Sequence, residues 1–258
     1  MNPPAVYTPG HTADVTAFMA RRSATSHAAF VLPHLRPDWR VLDLGCGPGS
    51  ITTDLGTCIP RGSIVGVDMH PGQIAHAREL ARARGTSNVE FAVMSVESLT
   101  FPLETFDLIF AHAVIEHLGA PVDALRELRR FLKPGGLIAL RSPDWGGLVL
   151  HPDAPGLVHA LAAYEGLQKN NGGDLRAGRK LGAWLKQAGF TAVRRSASYQ
   201  IYEHADEIAS YLADQLERAV PGDAGPILRT WAQEPDAVFA QAWFEAIGDK
   251  PAKEASIP

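Results

Sequence analysis

Three glycines at alternate positions close the run Val41-Leu42-Asp43-Leu44-Gly45-Cys46-Gly47-Pro48-Gly49. An apolar stretch that meets an acid and then glycines reads as a buried parallel strand turning sharply into a helix. Glycine lacks a Cβ, so a ligand can lie against the backbone there, and a helix beginning near Gly49 offers unpaired N–H groups. A second acid, Asp68, ends Ile64-Val65-Gly66-Val67-Asp68. A carboxylate at such a strand end can accept both hydroxyls of a ribose. The pair points to a nucleotide site. A phosphate-cradling GxxxxGK[ST] loop is excluded, because no lysine follows the glycines. A GxGxxG dinucleotide loop would need glycine where Ser50 stands.

A second group of reactive residues follows a later apolar run. His112, Glu116 and His117 fall at the carboxyl end of that run, the end of a parallel sheet where ligands bind. His112 and Glu116 are four apart and could share a helix face. A third well-placed ligand is lacking, so no metal site is expected. Histidine titrates near neutrality, which makes His112 the first candidate for a base facing a substrate. Tyr7 and His11, in a proline-rich N-terminal arm, stand behind it.

These residues need a scaffold. Apolar runs at 40–44, 63–68, 89–94, 106–111 and 136–141 alternate with helical patterns at 50–58, 71–84 and 121–131. Strands alternating with helices imply βαβ crossovers and a mostly parallel sheet. The fold class is therefore α/β, a doubly wound, mostly parallel seven-stranded sheet. Residues 1–36 read as an arm and a helix (12–35) that cover the site, and 37–258 as the main domain. Beyond 141 a loop is expected at 142–155, with helices at 156–169 and 178–188 and a strand at 191–202. Helices at 205–219 and 224–233 suggest a helical lid insertion at about 203–234, before a last strand at 242–247 on the sheet edge.

Composition narrows the function. The 258 residues are 46% hydrophobic and 20% charged, with a formal net charge of −4. That balance argues against a large nucleic-acid footprint. No run of 18 apolar residues suggests a membrane span, and Met1-Asn2-Pro3-Pro4-Ala5 does not resemble a signal peptide. The cysteines, Cys46 and Cys58, form no CxxC pair, so a disulfide scaffold and structural zinc are disfavoured and a cytoplasmic setting is expected. Oligomeric state, a homodimer included, stays open. A free ribose diol is common to NAD and S-adenosylmethionine, and Asp68 alone does not choose between them.

Taken together, 41–49, 65–68, 99–118 and Leu132-Lys133-Pro134-Gly135-Gly136 resemble the class I S-adenosylmethionine-dependent methyltransferases, in the flavour of the ubiquinone/menaquinone-biosynthesis enzymes. The resemblance covers about 35–141. It implies transfer of a methyl group to a small-molecule acceptor, leaving S-adenosylhomocysteine, with no nucleic acid or membrane as partner. It also implies that the backbone of Gly45, Cys46, Gly47 and Gly49 cradles the cofactor, with Asp43 near its amino group and Asp68 on its ribose. Gln73 would reach a ribose hydroxyl, and the Ala111 carbonyl the methionine ammonium. Met69 reads equally as plain core or as a platform for the adenine. The family often has an acid where this chain has Ser95, so the adenine contacts fall to a neutral hydroxyl and to the Val96 N–H. Arg22 could meet the cofactor carboxylate. The aromatics Trp145, Tyr164, Tyr199, Tyr202, Tyr211, Trp231 and Phe244 would fit an apolar substrate pocket. The alternatives are an NAD-dependent oxidoreductase and a non-catalytic S-adenosylmethionine-binding protein.

Overall fold

The computed structural model describes residues 7–10 and 12–252. Five strands run parallel: β1 (Arg40–Leu44), β2 (Ser63–Asp68), β3 (Val89–Val93), β4 (Phe106–His112) and the first part of β5 (Leu132–His151). Two antiparallel strands, β6 (Thr191–Tyr202) and β7 (Val238–Asp249), complete a seven-stranded sheet in the order β3-β2-β1-β4-β5-β7-β6. The order reverses between β1 and β4, where open α/β sheets bind ligands. Alternate residues of β1 serve opposite layers. Leu42 and Leu44 join the core under α5 (Pro121–Phe131) and α7 (Leu181–Gln187). Val41 joins the core under α2 (Ala24–His27) and α3 (Ser50–Cys58). Helix α4 (Pro71–Arg84) covers β3 through Ile74, Ala77 and Ala81 packed on Phe91. Pro71 opens that helix, where its missing N–H costs nothing, and Gly85 closes it with φ 65°.

A separate helical layer forms its own core. Helices α6 (Leu157–Asn170), α8 (Ala205–Ala219) and α9 (Ala224–Trp231) bury Ala160, Leu212, Leu216 and Leu228 against Phe239. Helix α1 (Ala13–Ala20) packs on α8, and Arg21 pairs with Glu207 across that contact. Among the described residues no helix is long and apolar enough to cross a membrane.

The structure departs from the periodicity at three places. The helix expected at 12–35 is two helices, because Ser23 turns extended and caps α2, whose first N–H bonds Asp54 on α3. The loop expected at 142–155 is largely strand: β5 runs on and pairs with β7 from Ser142↔Phe244 to His151↔Val238, its ladder irregular between Asp144 and Val149 around two glycines. Finally, β7 is an interior strand and β6 forms the edge.

Candidate functional site

The glycine loop needs its glycines sterically. At Gly45, φ is +65° and an added Cβ would lie 2.5 Å from Val114 Cγ2; at Gly49, φ is +80° and it would lie 2.7 Å from Ala77 Cβ. The loop is tied to the second strand: the Cys46 N–H donates to the Val67 carbonyl and the Gly47 N–H to Asp68 Oδ2 at 3.1 Å. Asp68 Oδ1 also accepts the His70 N–H at 2.9 Å, so this carboxylate joins loop to strand end. Burial, then the charges of Asp43 and Asp68, push the Cys46 thiol well above its ordinary range, which keeps it an inert wall.

Three cavities meet above this loop. The first, about 520 Å³ with the solvent space at its mouth, is lined by Asp43, Gly45, Cys46, Gly47, Asp68 and Gln73, together with Arg22 and His112. Asp43 is 3% exposed and accepts the Thr52 hydroxyl at 2.6 Å; burial pushes its carboxyl up to about 7. Gln73 donates to the Thr16 hydroxyl, and its buried Oε1 has no hydrogen-bond partner among the described residues. Gly49 does not line this cavity; it sits behind the loop as the N-cap of α3, against α4.

The second cavity, about 980 Å³ with its open mouth, is the most apolar of the three. Met69, Ser95 and Val96 line it beside Val67, Val114 and Leu118. Met69 is 61% exposed, so it is a lip of the cavity and not core. The Ser95 hydroxyl caps its own turn, accepting the Glu97 N–H at 3.3 Å. Ala111 stays inside β4, paired with Leu44 and Leu140, and lines none of the three cavities. The strand extends one residue further than its apolar run, and the lining positions are His112 and Ala113. Ala113 takes φ 56°, a strained conformation for a residue with a side chain, and swings Val114 over Gly45.

The third cavity, about 550 Å³ with the solvent space at its mouth, lies between the strand ends and the helical layer. Phe18, Trp145, Tyr164, Tyr202, Tyr211 and Trp243 form its walls, with Arg22, Glu116, His117, Gln168 and Gln241 among them. Trp145 stacks on Tyr164 at 4.8 Å, and Phe18 on Tyr211 at 4.4 Å. Four of the aromatics expected from the sequence are here. Of the rest, Tyr199 is exposed, Trp231 is bonded to the Pro152 carbonyl inside the helical layer, and Phe244 sits in the sheet opposite Ser142. Phe18 and Trp243 escaped the sequence reading because one lies on the covering helix and the other on the last strand, which was expected at the sheet edge and lies in its interior.

Tyr7 and Ala113 border all three cavities. Tyr7 meets the His117 ring edge-on at 4.9 Å, and burial raises its hydroxyl well above the ordinary range. Its segment is latched to the helical layer: the Thr8 hydroxyl contacts Gln168 and Asn171, and Arg218 donates to the Pro9 carbonyl. His11 lies outside the described residues. Arg22 is half-buried between the first and third cavities, with no carboxylate within ion-pair distance among the described residues.

His112 does not match the base expected of it. It is 5% exposed, stacks on Trp243 at 4.9 Å, and its Nε2 lies 2.8 Å from Arg141 Nη1. Arginine can only donate, so Nε2 accepts and the proton sits on Nδ1. Burial, then Arg22 and Arg141, hold its pKa well below the ordinary value. With its lone pair engaged, this ring cannot take a substrate proton. His117 is likewise kept neutral, burial lowering it to about 4. Among the described residues no group of three or more His, Cys, Asp or Glu could hold a metal ion.

The chain matches the methyltransferase-domain family over residues 35–189. An uncharacterized methyltransferase of Schizosaccharomyces pombe is 32% identical over 195 residues, 73% of this chain and 69% of that protein. A trans-aconitate 2-methyltransferase of Methylobacterium nodulans is 42% identical over 105 residues, 41% of this chain and 38% of its own length. In fold, the chain is similar to a putative methyltransferase from Bacillus halodurans, with TM-score 0.66 and 17% identity over 88% of this chain and all of that one. With a glycine loop, an acid within the last two positions of each of the first two strands and a match covering more than half its length, the chain belongs to the class I S-adenosylmethionine-dependent methyltransferases.

Proposed function

We propose that the acceptor is a small molecule held in the aromatic cavity, and that methyl transfer to its O, N or C atom proceeds by in-line displacement. The observation that carries this reading is the junction of the cavities. The aromatic cavity and the glycine-loop cavity share Tyr7, Arg22 and Ala113 in their linings, so ligands in the two would be neighbours on either side of these residues. A recess walled by stacked aromatic rings under a helical layer, in a chain of net charge −4, suits a small molecule better than a nucleic acid.

The residues present fit S-adenosylmethionine. No Cβ fits at Gly45, and the buried Gln73 Oε1 lacks a donor that a ribose hydroxyl would supply. When bound, the cofactor supplies a methyl carbon activated by a sulfonium. Asp43 and the backbone of Gly45, Cys46 and Gly47 face its amino-acid end, and Arg22 offers an unpaired charge to its carboxylate. Asp68 retains lone pairs for the ribose beyond its two N–H donors. Met69, Ser95 and Val96 border the adenine space. Holding both reactants in line supplies much of the acceleration, about 7–11 kcal/mol in favourable systems. The arm at Tyr7 and the helical layer exclude water.

The test is mass spectrometry of cell extract incubated with protein and S-adenosylmethionine. A metabolite heavier by one methylene is expected; modification confined to RNA or protein overturns the small-molecule reading. Asp68→Ala is expected to weaken cofactor binding at least tenfold by calorimetry, and unchanged affinity removes Asp68 from the ribose site.

A further inference from the structure

We propose that Glu116 is the proton acceptor of the aromatic cavity and that the methyl acceptor is a flat apolar molecule carrying a weakly acidic hydroxyl. The inference rests on the methyl-transfer reading above and names the substrate class of that site. Stacked ring pairs make the walls, and flat rings favour a flat guest. The groups in the cavity that could receive a proton are few. His117 is neutral and too weak a base, the tyrosine hydroxyls are held protonated by burial, and the amides of Gln168 and Gln241 do not titrate. His112 lines the neighbouring cavity and has its lone pair engaged by Arg141. Among the described residues that leaves the Glu116 carboxylate.

Its placement suits the task. Glu116 sits on the 3-10 turn Ile115–His117, which starts two residues after Ala113, a residue that borders all three cavities. Glu116 is 4% exposed, and its carboxyl group is fixed at one oxygen by the Ser142 hydroxyl at 2.7 Å. The Asp174 N–H holds the Glu116 main-chain carbonyl at 2.7 Å, so the turn is fixed as well. The other carboxylate oxygen takes no side-chain hydrogen bond among the described residues. Charged and titratable groups face Glu116 from every side: Arg22 from the arm side, Asp174 beyond α6, His117 and Tyr7 across the turn, Tyr164 and Tyr211 from the helical layer. Burial pushes the carboxyl up to about 7, where a carboxylate is a useful base at neutral pH. As the acceptor oxygen bonds to the methyl carbon, the carbon–sulfur bond breaks with its electron pair on sulfur. The hydroxyl proton passes to Glu116. The products are a methyl ether, a neutral sulfide and a protonated carboxyl group that water later deprotonates.

The experiment uses substituted phenols of graded acidity as acceptors, with wild-type protein and Glu116→Gln, after calorimetry has shown that both bind S-adenosylmethionine. Wild-type protein that fails to bind the cofactor brings down the methyl-transfer reading itself, whatever Glu116 does. Given binding, Glu116→Gln should lose about 100-fold or more in turnover of phenols un-ionised at the assay pH. It should lose little on 4-nitrophenol at a pH where that phenol is already ionised. A uniform loss across the series, no loss, or no phenol methylated by the wild type overturns the proposal. A second readout is independent of turnover. Bound to the S-adenosylhomocysteine complex, 4-nitrophenol should ionise at higher pH beside Glu116 than in Glu116→Gln, seen in its phenolate absorbance; coincident curves overturn the proposal. Ser142→Ala keeps the carboxylate and removes its hydrogen bond, so the acid limb of the turnover profile should move to higher pH, and an unmoved limb counts against Glu116.

Discussion

Asp43 shows how a residue can be legible as a type and hidden as a charge state. The sequence places an acid before the glycines, yet burial raises its carboxyl to about 7, with the Thr52 hydroxyl only partly offsetting the rise. Below that pH the free protein therefore holds Asp43 protonated. An ammonium group bound beside it favours the ionised form, so binding must expel a proton. Cofactor affinity is expected to rise with pH until about 7 and flatten above it. Calorimetry at pH 6 in two buffers of different ionisation enthalpy checks this: the apparent enthalpies should differ by nearly one proton's worth, and equal enthalpies would remove Asp43 from contact with the amino group. His112 is the converse case. Its type suggested a base, and only the structure reveals that Arg141 occupies the nitrogen that would do the work.

At the scale of elements, the glycine loop makes the sharpest demand. Gly45→Ala must place a Cβ inside Val114 and hold an L-residue at φ +65°. The positive φ alone costs about 1–2 kcal/mol, and displacing Val114 adds to it. Urea unfolding should show a loss of at least that size, together with weakened cofactor binding; a variant of wild-type stability would mean the loop re-forms without its glycine. Periodicity recovered those elements whose two faces meet simple surroundings. Strands β1 and β2 and helix α8 carry the same bounds in sequence and structure, because each apolar run ends at an acid, a turn or a polar face. It failed where pairing partners are distant. The second half of β5 holds Pro143, Asp144, Gly146 and Gly147, which read as a loop; β7 makes it a strand by lying alongside. Buried polar partners hide such segments too: Asp144, fully buried, is held by Arg179 at 2.5 Å, a pair 35 residues apart that no local pattern announces. The shape of the glycine loop was legible because its turn is set by adjacent residues. The aromatic cavity was legible only in part, since its walls come from α1, β5, α6, β6, α8 and β7.

For the molecule as a whole, the buried titrating groups set the pH of greatest stability. His27, His112 and His117 are depressed in the folded state, burial being the first cause in each, so between about pH 4 and 6.5 the unfolded chain binds protons that the folded one refuses. Asp43 and Glu116, raised to about 7, do the reverse between roughly pH 4.5 and 7. Three against two leaves about one net proton, so stability should climb by about 1 kcal/mol per unit from pH 5 to 6. Above 6.5 only the carboxyls contribute and stability should fall, placing the maximum near pH 6.5 in the absence of cofactor. Urea titrations at half-unit intervals check the curve, and a monotonic rise through pH 7.5 would contradict it. A last consequence belongs to Tyr7, whose ring borders all three cavities and whose neighbours latch it to the helical layer. Whatever settles that ring for one guest settles it for the other, and thermodynamic reciprocity then fixes the ledger: the factor by which donor tightens acceptor must equal the factor by which acceptor tightens donor. Truncating the ring, as in Tyr7→Ala, should bring both factors toward unity together, measurable as a closed four-sided binding cycle.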